Sequence, residues 1–200
     1  MRNLFYGTVA AVVCAASISA QMPPKPAPAA PKAASSVSQS TMTYYSAVKD
    51  WLTKSAALMP EADYAFRPQT MPSSDKAEIR TFGQIIGHLA DANYLFCGAA
   101  AATPGGTGDI EKTKTAKADL QKALADSFAF CDRIWASTTD QNAMTPVKFP
   151  DALPLPPMNR IGTLAFNTAH EAEHYGNVVT YLRMKGLVPP SSQPMTPPGK

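Results

Sequence analysis

Apolar residues recur with the spacing of an α-helix in separate stretches of this 200-residue chain, and no stretch alternates apolar and polar residues over any length. The first helical stretch covers residues 43–59 and ends at Pro60. The second begins at Thr81, which is followed three residues later by Gln84 in the pattern of a capping box. Between them, residues 64–68 (YAFRP) are expected to form a structured connection whose aromatic rings pack on the helices.

A third helical stretch follows a glycine-rich turn at residues 105–108. It begins near Asp109, a residue type that caps helices well, and runs to about residue 137. Its first turns carry several lysines together with Glu111 and Asp119, a pattern that indicates a solvated face.

A proline-rich crossover at residues 146–157 leads to the fourth helix, which Asn159 is expected to cap and Gly186 to close. Four amphipathic helices joined by short and long connections predict an all-α protein. The expected architecture is a four-helix bundle with a long crossover between its third and fourth helices.

The two ends of the chain differ from the predicted bundle in composition. Residues 1–20 combine Arg2 with an apolar run that ends in small residues, the pattern of a signal peptide, with an uncleaved membrane anchor as the alternative. Residues 21–40 are rich in Pro and Ala and lack aromatic residues, so we expect a flexible linker. Residues 189–200 are expected to be a disordered tail. The bundle is therefore predicted at residues 41–188 of an exported protein, either periplasmic or extracellular.

The charge of the predicted bundle argues against a nucleic-acid partner. Arg2, Lys25 and Lys32 precede residue 41, whereas all 15 acidic residues follow it, which leaves this region formally neutral. It carries no basic stripe of the kind that binds nucleic acid. The glycines at 105–108 lie between predicted helices and indicate a turn, not a phosphate-binding loop. After cleavage of the signal, no association with a membrane is expected.

Two cysteines, Cys97 and Cys131, lie within the predicted bundle, and export would permit a disulfide between them. If the second and third helices form an antiparallel hairpin, Cys97 lies near the glycine turn. Cys131 then lies about 22 residues past Asp109, roughly 30 Å away along the axis. Because a disulfide requires Cα atoms within about 7 Å of each other, we expect two unpaired thiols that fill the core.

The three histidines of the chain are placed so that they can share one site. His170 and His174 are four residues apart, so both project from one face of the fourth helix. Asn167 and Asn177 lie on the same face, and such polar groups are costly to bury without partners. His88 lies in the middle of the second helix.

Three neutral imidazoles and a water molecule suit Zn²⁺, and Ni²⁺, Fe²⁺ and Co²⁺ are also compatible. We therefore predict a divalent metal, zinc or nickel before iron or cobalt, with the three histidines as its ligands. Asp91 and Asn167 are candidates to orient the imidazoles by hydrogen bonds, and Asn177 is a further neighbour. The alternative is that the histidines are packed in the core without a metal, as a single histidine within a helix usually is.

Residues 170–174 (HEAEH) also match the H-E-x-x-H pattern of zinc proteases, whose glutamate acts as general base. Those enzymes take their third ligand from farther along the chain, as Glu, His or Asp. Here no acidic residue or histidine follows His174, so a third ligand has to come from upstream and a protease is a distant alternative. Glu171 is the first candidate for a catalytic base, and a solvated or salt-bridged carboxylate explains it equally well.

Over about residues 43–190 the chain resembles the DinB-like (DinB/YfiT) superfamily of metal-dependent enzymes. The matching segments are residues 64–68 (YAFRP), 82–90 (FGQIIGHLA), 170–177 (HEAEHYGN), 181–186 (YLRMKG) and 189–190 (PP). The resemblance implies a four-helix bundle, frequently dimeric, with a metal held by His88, His170 and His174. Members of known activity include thiol-dependent transferases and isomerases, in which the metal activates a low-molecular-weight thiol.

Export distinguishes this chain from those members, because such thiol cofactors are not expected outside the cell. We therefore expect a metal-dependent enzyme of the hydrolase or thiol-dependent transferase type that acts on an unknown small molecule. The alternative is a non-catalytic metal-binding or stress-related protein of the cell envelope, which would keep the three ligands without a substrate pocket.

Overall fold

The computed structural model describes residues 35–68, 79–103, 105–106, 108–149 and 155–194. Its helices are α1 (Val37–Leu58), α2 (Phe82–Ala101), the short α3 (Ile110–Thr113), α4 (Lys117–Ala136) and α5 (Arg160–Met184). A two-stranded antiparallel ribbon, β1 (Pro146–Val147) and β2 (Met158–Asn159), lies in the crossover between α4 and α5. Two 3-10 helices cover Glu61–Asp63 and Pro190–Ser192. The predicted all-α bundle is confirmed, with α1, α2, α4 and α5 as its four long helices. The predicted signal peptide lies outside the described residues.

Local hydrogen bonds explain where two of the long helices begin. The Thr81 hydroxyl accepts from the backbone N–H of Gln84, whose side chain accepts in return from the N–H of Thr81, so the predicted capping box of α2 is confirmed. The Asn159 side chain accepts from the N–H of Gly162 at the start of α5, also as predicted. Asp109 does not cap a long helix: its side chain makes no capping hydrogen bond, and α3 is a single turn.

The first helix begins at Val37, inside the predicted linker and earlier than its apolar pattern indicates. Ser36 and Gln39 form a capping box at this end. Ser38 is buried, and its backbone N–H and hydroxyl both donate to the carboxylate of Asp140. Polar contacts hold this turn on the bundle, which is why hydrophobic periodicity did not reveal it. Residues 21–34 of the predicted linker lie outside the described residues.

The antiparallel hairpin assumed for the second and third helices is wrong, because α2 and α4 run parallel. Asn93 of α2 donates to Ser127 of α4 at 3.1 Å. Four residues farther along both helices, Cys97 is bonded to Cys131. The connection between the two helices turns back along α2 and carries α3 with it. As a result, α4 starts beside the beginning of α2.

The expectation of two free thiols is therefore also wrong, since Cys97 and Cys131 form a disulfide with a Cα–Cα distance of 5.4 Å. Both side chains are fully buried. Two parallel helices that begin at the same level bring together residues at similar distances from their first turns. The estimate of 30 Å failed because it assumed the opposite direction for α4.

The core lies where the four long helices meet, and the 64–68 connection packs on it as predicted. The ring of Tyr64 lies edge-on to Phe82, and the Tyr64 hydroxyl donates to the Ala56 carbonyl at 2.6 Å. Phe66 packs edge-on against Tyr181 of α5. None of the described helices is long and apolar enough to cross a membrane.

The predicted disordered tail is wrong for its first residues. Residues 190–192 form a 3-10 helix in which Pro190 is buried. The backbone N–H of Ser191 donates to the Tyr175 hydroxyl at 2.9 Å, which fixes this turn to α5. Proline prevents the continuation of α5 but does not prevent a short turn that packs on the bundle. Residues 195–200 lie outside the described residues.

Candidate metal centre

Three imidazoles from two antiparallel helices converge at one point of the bundle. His88 of α2 contacts His170 of α5, and Phe96, which comes later in α2, contacts Phe166, which comes earlier in α5. The two helices therefore run antiparallel. The Nε2 atom of His88 lies 3.2 Å from Nε2 of His170, which in turn lies 3.1 Å from Nε2 of His174. One ligand atom from each of the three residues lies within 4.8 Å of the others. The structure thus brings together the three residues predicted as ligands.

The spacing of these nitrogens fits a shared metal ion. Zinc–nitrogen distances of about 2.0–2.1 Å place tetrahedral ligand nitrogens roughly 3.3 Å apart. The two Nε2 separations of 3.2 and 3.1 Å are close to that value. Nitrogen lone pairs directed at each other repel unless a cation or a proton lies between them. The donor set and its spacing therefore match a divalent cation.

The imidazoles of this cluster are neutral at physiological pH. Burial lowers the pKa of His88, His170 and His174, and the neighbouring positive charges, including Arg80, lower it further. For His174 the pKa falls to about 4. Neutral imidazole is the form that binds a metal, so no proton has to be removed at neutral pH.

A carboxylate that the sequence did not single out orients His88. Its Nδ1 lies 3.0 Å from Oε2 of Glu111, whose Oε1 accepts from Nε of Arg80 at 2.7 Å. Burial opposes ionisation of Glu111, but hydrogen bonds and charges from Arg80 and His88 hold its pKa below the ordinary value. Because an ionised carboxylate only accepts, the proton of His88 resides on Nδ1. The lone pair on Nε2 is then directed at the cluster.

The position of Glu111 is fixed by α2 itself. The carboxylate of Asp91 accepts from the backbone N–H groups of Ile110 and Glu111, both at 3.0 Å. Gly87 permits the close approach, because a Cβ atom there would lie 2.7 Å from Cα of Glu111. Asp91 was a candidate to orient an imidazole by a direct hydrogen bond. Its hydrogen bonds instead hold the residue that orients His88.

The sequence did not identify Glu111 as a partner of His88, because a long helix that begins near Asp109 would place Glu111 on a solvated, charged face. In the structure Lys114 is extended and separates α3 from α4. One signal of this break was present, because the apolar periodicity of the third stretch begins only at Leu120. Residues before α4 were therefore free to follow a different path.

The structure places Asn167 and Glu171 in the interior of the bundle. Nδ2 of Asn167 donates to Oδ1 of Asn93 at 2.8 Å and to Oε1 of Glu171 at 3.0 Å. Glu171 is 0% exposed, and burial raises its pKa to about 8. Among the described residues, no hydrogen bond joins either side chain to an imidazole. The catalytic role of Glu171 and the imidazole-orienting role of Asn167 stay predictions.

The surroundings of the cluster differ on its two sides. The ring of Phe96 lies 6.0 Å from that of His170 and packs on Phe166, which makes this side aromatic. On the other side a cavity of about 470 Å³ adjoins His174. Asn177, predicted as a neighbour of the metal, lines this cavity. The remaining lining residues are Pro68, Ile79, Arg80, Ile85, Thr180 and Tyr181.

Residues 44–178 match the family model of the DinB superfamily. The chain belongs to the DinB superfamily. This match contains all three histidines as well as Glu111. No protein of curated function matches the chain.

Solved structures of other DinB-like proteins share the fold. A DinB-like protein from Bacillus cereus superposes with a TM-score of 0.62 at 15% identity, over 76% of this chain and 95% of the other. YfiT from Bacillus subtilis, described as a probable metal-dependent hydrolase with an unusual four-helix bundle topology, gives a TM-score of 0.54 at 19% identity, over 79% and 94%. A mycothiol-dependent maleylpyruvate isomerase gives 0.56 at 14% identity, over 70% of this chain and 60% of the other.

Proposed function

We propose that this DinB-superfamily protein is an exported metal-dependent hydrolase whose divalent metal is held by His88, His170 and His174. The observation that carries the proposal is the convergence of three neutral imidazole nitrogens, with separations of 3.2 and 3.1 Å between neighbouring Nε2 atoms. The likeness to YfiT, described as a probable metal-dependent hydrolase, supports the same conclusion.

The chemistry of the three-histidine set favours a catalytic metal over a structural one. Structural zinc sites use four protein ligands, whereas catalytic sites use three and leave a position for water or substrate. A metal bound here supplies Lewis-acid chemistry and lowers the pKa of a water molecule or a thiol toward neutrality. The cavity beside His174 provides space for a small molecule, which a purely metal-storing envelope protein would not need. Zinc and nickel are the metals that we propose first.

Hydrolysis is favoured over thiol-dependent transfer by the proposed location of the protein. The buried Cys97–Cys131 disulfide is typical of proteins from oxidising compartments, which supports export to the periplasm or beyond. Low-molecular-weight thiols are not expected to act as cofactors there. The protease alternative is disfavoured because Glu171, which would have to be the general base, lies in the bundle interior and bonds to Asn167.

The proposal is tested by elemental analysis of the purified protein, before and after reloading with zinc and with nickel. The matched variant is the double substitution His170→Ala, His174→Ala, with circular dichroism to confirm its helical content. We expect about one metal ion per wild-type chain and a near-zero content in the double variant. An equal, near-zero content in both proteins after reloading would overturn the metal site.

The hydrolase assignment has its own test. The metal-loaded protein is assayed against a panel of small esters, amides and lactams, alongside chelator-treated protein and the same double variant. We expect hydrolysis that requires both the metal and the histidines. Full metal occupancy without any hydrolysis across the panel would favour the non-catalytic envelope protein instead.

A further inference from the structure

The cavity beside His174 contains a cation with unused hydrogen-bond donors. Arg80 immediately precedes the capping residue of α2, and its backbone carbonyl accepts from the Tyr181 hydroxyl at 2.6 Å. Nε of Arg80 donates to Glu111 at 2.7 Å. No described residue accepts a hydrogen bond from the two terminal nitrogens of this guanidinium, and 42% of the side chain is exposed to solvent. Arg80 is thus anchored at two points, with one edge of its guanidinium available for another partner.

Arg80 is the one permanently charged side chain among the described residues that line the cavity, and none of these lining residues is acidic. Glu111, the ion-pair partner of Arg80, is not among them. A metal ion at the histidines would add further positive charge. A negatively charged group is therefore the ligand that this surface favours.

Part of the cavity lining is apolar. Ile79, Ile85 and Pro68 form this part, and Ile79 is one of the few large apolar side chains that remain exposed. A volume of about 470 Å³ is within the range of small-molecule sites. A ligand that complements both Arg80 and these apolar side chains has one anionic group and an apolar body. A single guanidinium edge with two N–H donors matches the two oxygens of a carboxylate.

We propose that this cavity binds a small organic carboxylate, with its anionic group paired to the terminal nitrogens of Arg80 and its apolar part against Ile79 and Ile85. The proposal deepens the proposed function, on which it rests, by naming the substrate class of the metal centre. It differs from the metal proposal in the residues that carry it, because Arg80 would attract the anion with or without a metal. The two ideas therefore fail separately.

The test is calorimetric titration of the full chain with benzoate, with benzamide as a neutral probe of the same shape and with inorganic phosphate as a second anion. Each probe is titrated into metal-free and zinc-loaded protein. The central variant is Arg80→Gln, and Arg133→Gln, an exposed position on α4 away from the cavity, is the matched control.

We expect benzoate to bind more tightly than benzamide or phosphate, and Arg80→Gln to weaken benzoate binding roughly tenfold or more, the scale of a charge-assisted hydrogen bond. Arg133→Gln should bind benzoate to metal-free protein as the wild type does. If Arg80→Gln does not fold, Thr180→Phe, at an exposed position of α5 that lines the cavity, should weaken binding by narrowing it.

Equal affinity of the wild type for benzoate and benzamide would overturn the proposal, as would unchanged benzoate affinity in the folded Arg80→Gln variant. Preference for phosphate over benzoate would contradict the carboxylate class. Arg80-dependent benzoate binding by a protein that holds no metal would support the anion site while the metal proposal fails. Full metal occupancy without any benzoate binding would support the metal site and overturn the anion site.

Discussion

Replacement of Glu111 by glutamine removes the carboxylate that orients His88 while keeping the size of the side chain. The lost interaction is a 3.0 Å hydrogen bond between Oε2 and Nδ1. Hydrogen bonds to charged groups contribute about 1.5–3 kcal/mol, which corresponds to roughly 10- to 100-fold in metal affinity. Because 21% of the Glu111 side chain is exposed, we expect the lower part of this range, about tenfold.

The assay is competition for zinc between the protein and a chromophoric chelator near neutral pH. The matched control is Glu173→Gln, which removes the same charge from an exposed glutamate next to His174 in the sequence. A second measurement, NMR titration of metal-free protein, should show a lower pKa for His88 in Glu111→Gln, because Glu111 raises that pKa in the wild type. Equal zinc affinities for the two variants, with unchanged titration of His88, would refute the argument.

Three further predictions concern the disulfide, Glu171 and Gly87. Replacement of Cys97 and Cys131 by alanine removes a cross-link with a sequence separation of 34 and should lower the free energy of unfolding by roughly 4 kcal/mol. Calorimetry should then show a decrease in Tm of about 8–15 °C, and a decrease below about 2 °C would contradict this prediction. In metal-free protein the pKa of Glu171 is raised from 4.5 to about 8, so the free energy of unfolding should fall as the pH rises between these values. Urea unfolding should show a loss on the order of 5 kcal/mol above pH 8, which Glu171→Gln should remove. Parallel pH profiles of the wild type and the variant would contradict this prediction. Gly87→Ala should displace Glu111 and weaken zinc binding about as much as Glu111→Gln; wild-type affinity would show that α3 tolerates the extra methyl group.

Helix type and the shared face of His170 and His174 were predictable because both depend on local spacing. His170 and His174 share a face by the geometry of any helix, and the capping residues Thr81 and Asn159 signal helix starts directly. His88 could be paired with them because no ligand type follows His174 in the chain. None of these inferences needs the direction in which the helices run.

The features that depend on the relative direction of the helices could not be predicted in this way. Amphipathic periodicity shows which face of a helix is buried, but it is identical for parallel and antiparallel neighbours. The disulfide of Cys97 was excluded for that reason, and Glu111 was assigned to solvent. The disulfide and the position of Glu111 both result from the connection before α4, which turns back along α2. The hydrogen bonds of Asp91 and the absence of a side chain at Gly87 set this path.

The central claim, one divalent metal held by three imidazoles, is tested most directly by X-ray absorption spectroscopy of the zinc-loaded protein. His88, His170 and His174 should contribute three imidazole nitrogens at about 2.0–2.1 Å, together with one further light ligand. The His170→Ala, His174→Ala double variant, exposed to the same zinc concentration, should not retain this spectrum. A first shell composed of oxygen, or one with fewer than three imidazoles, would contradict the account.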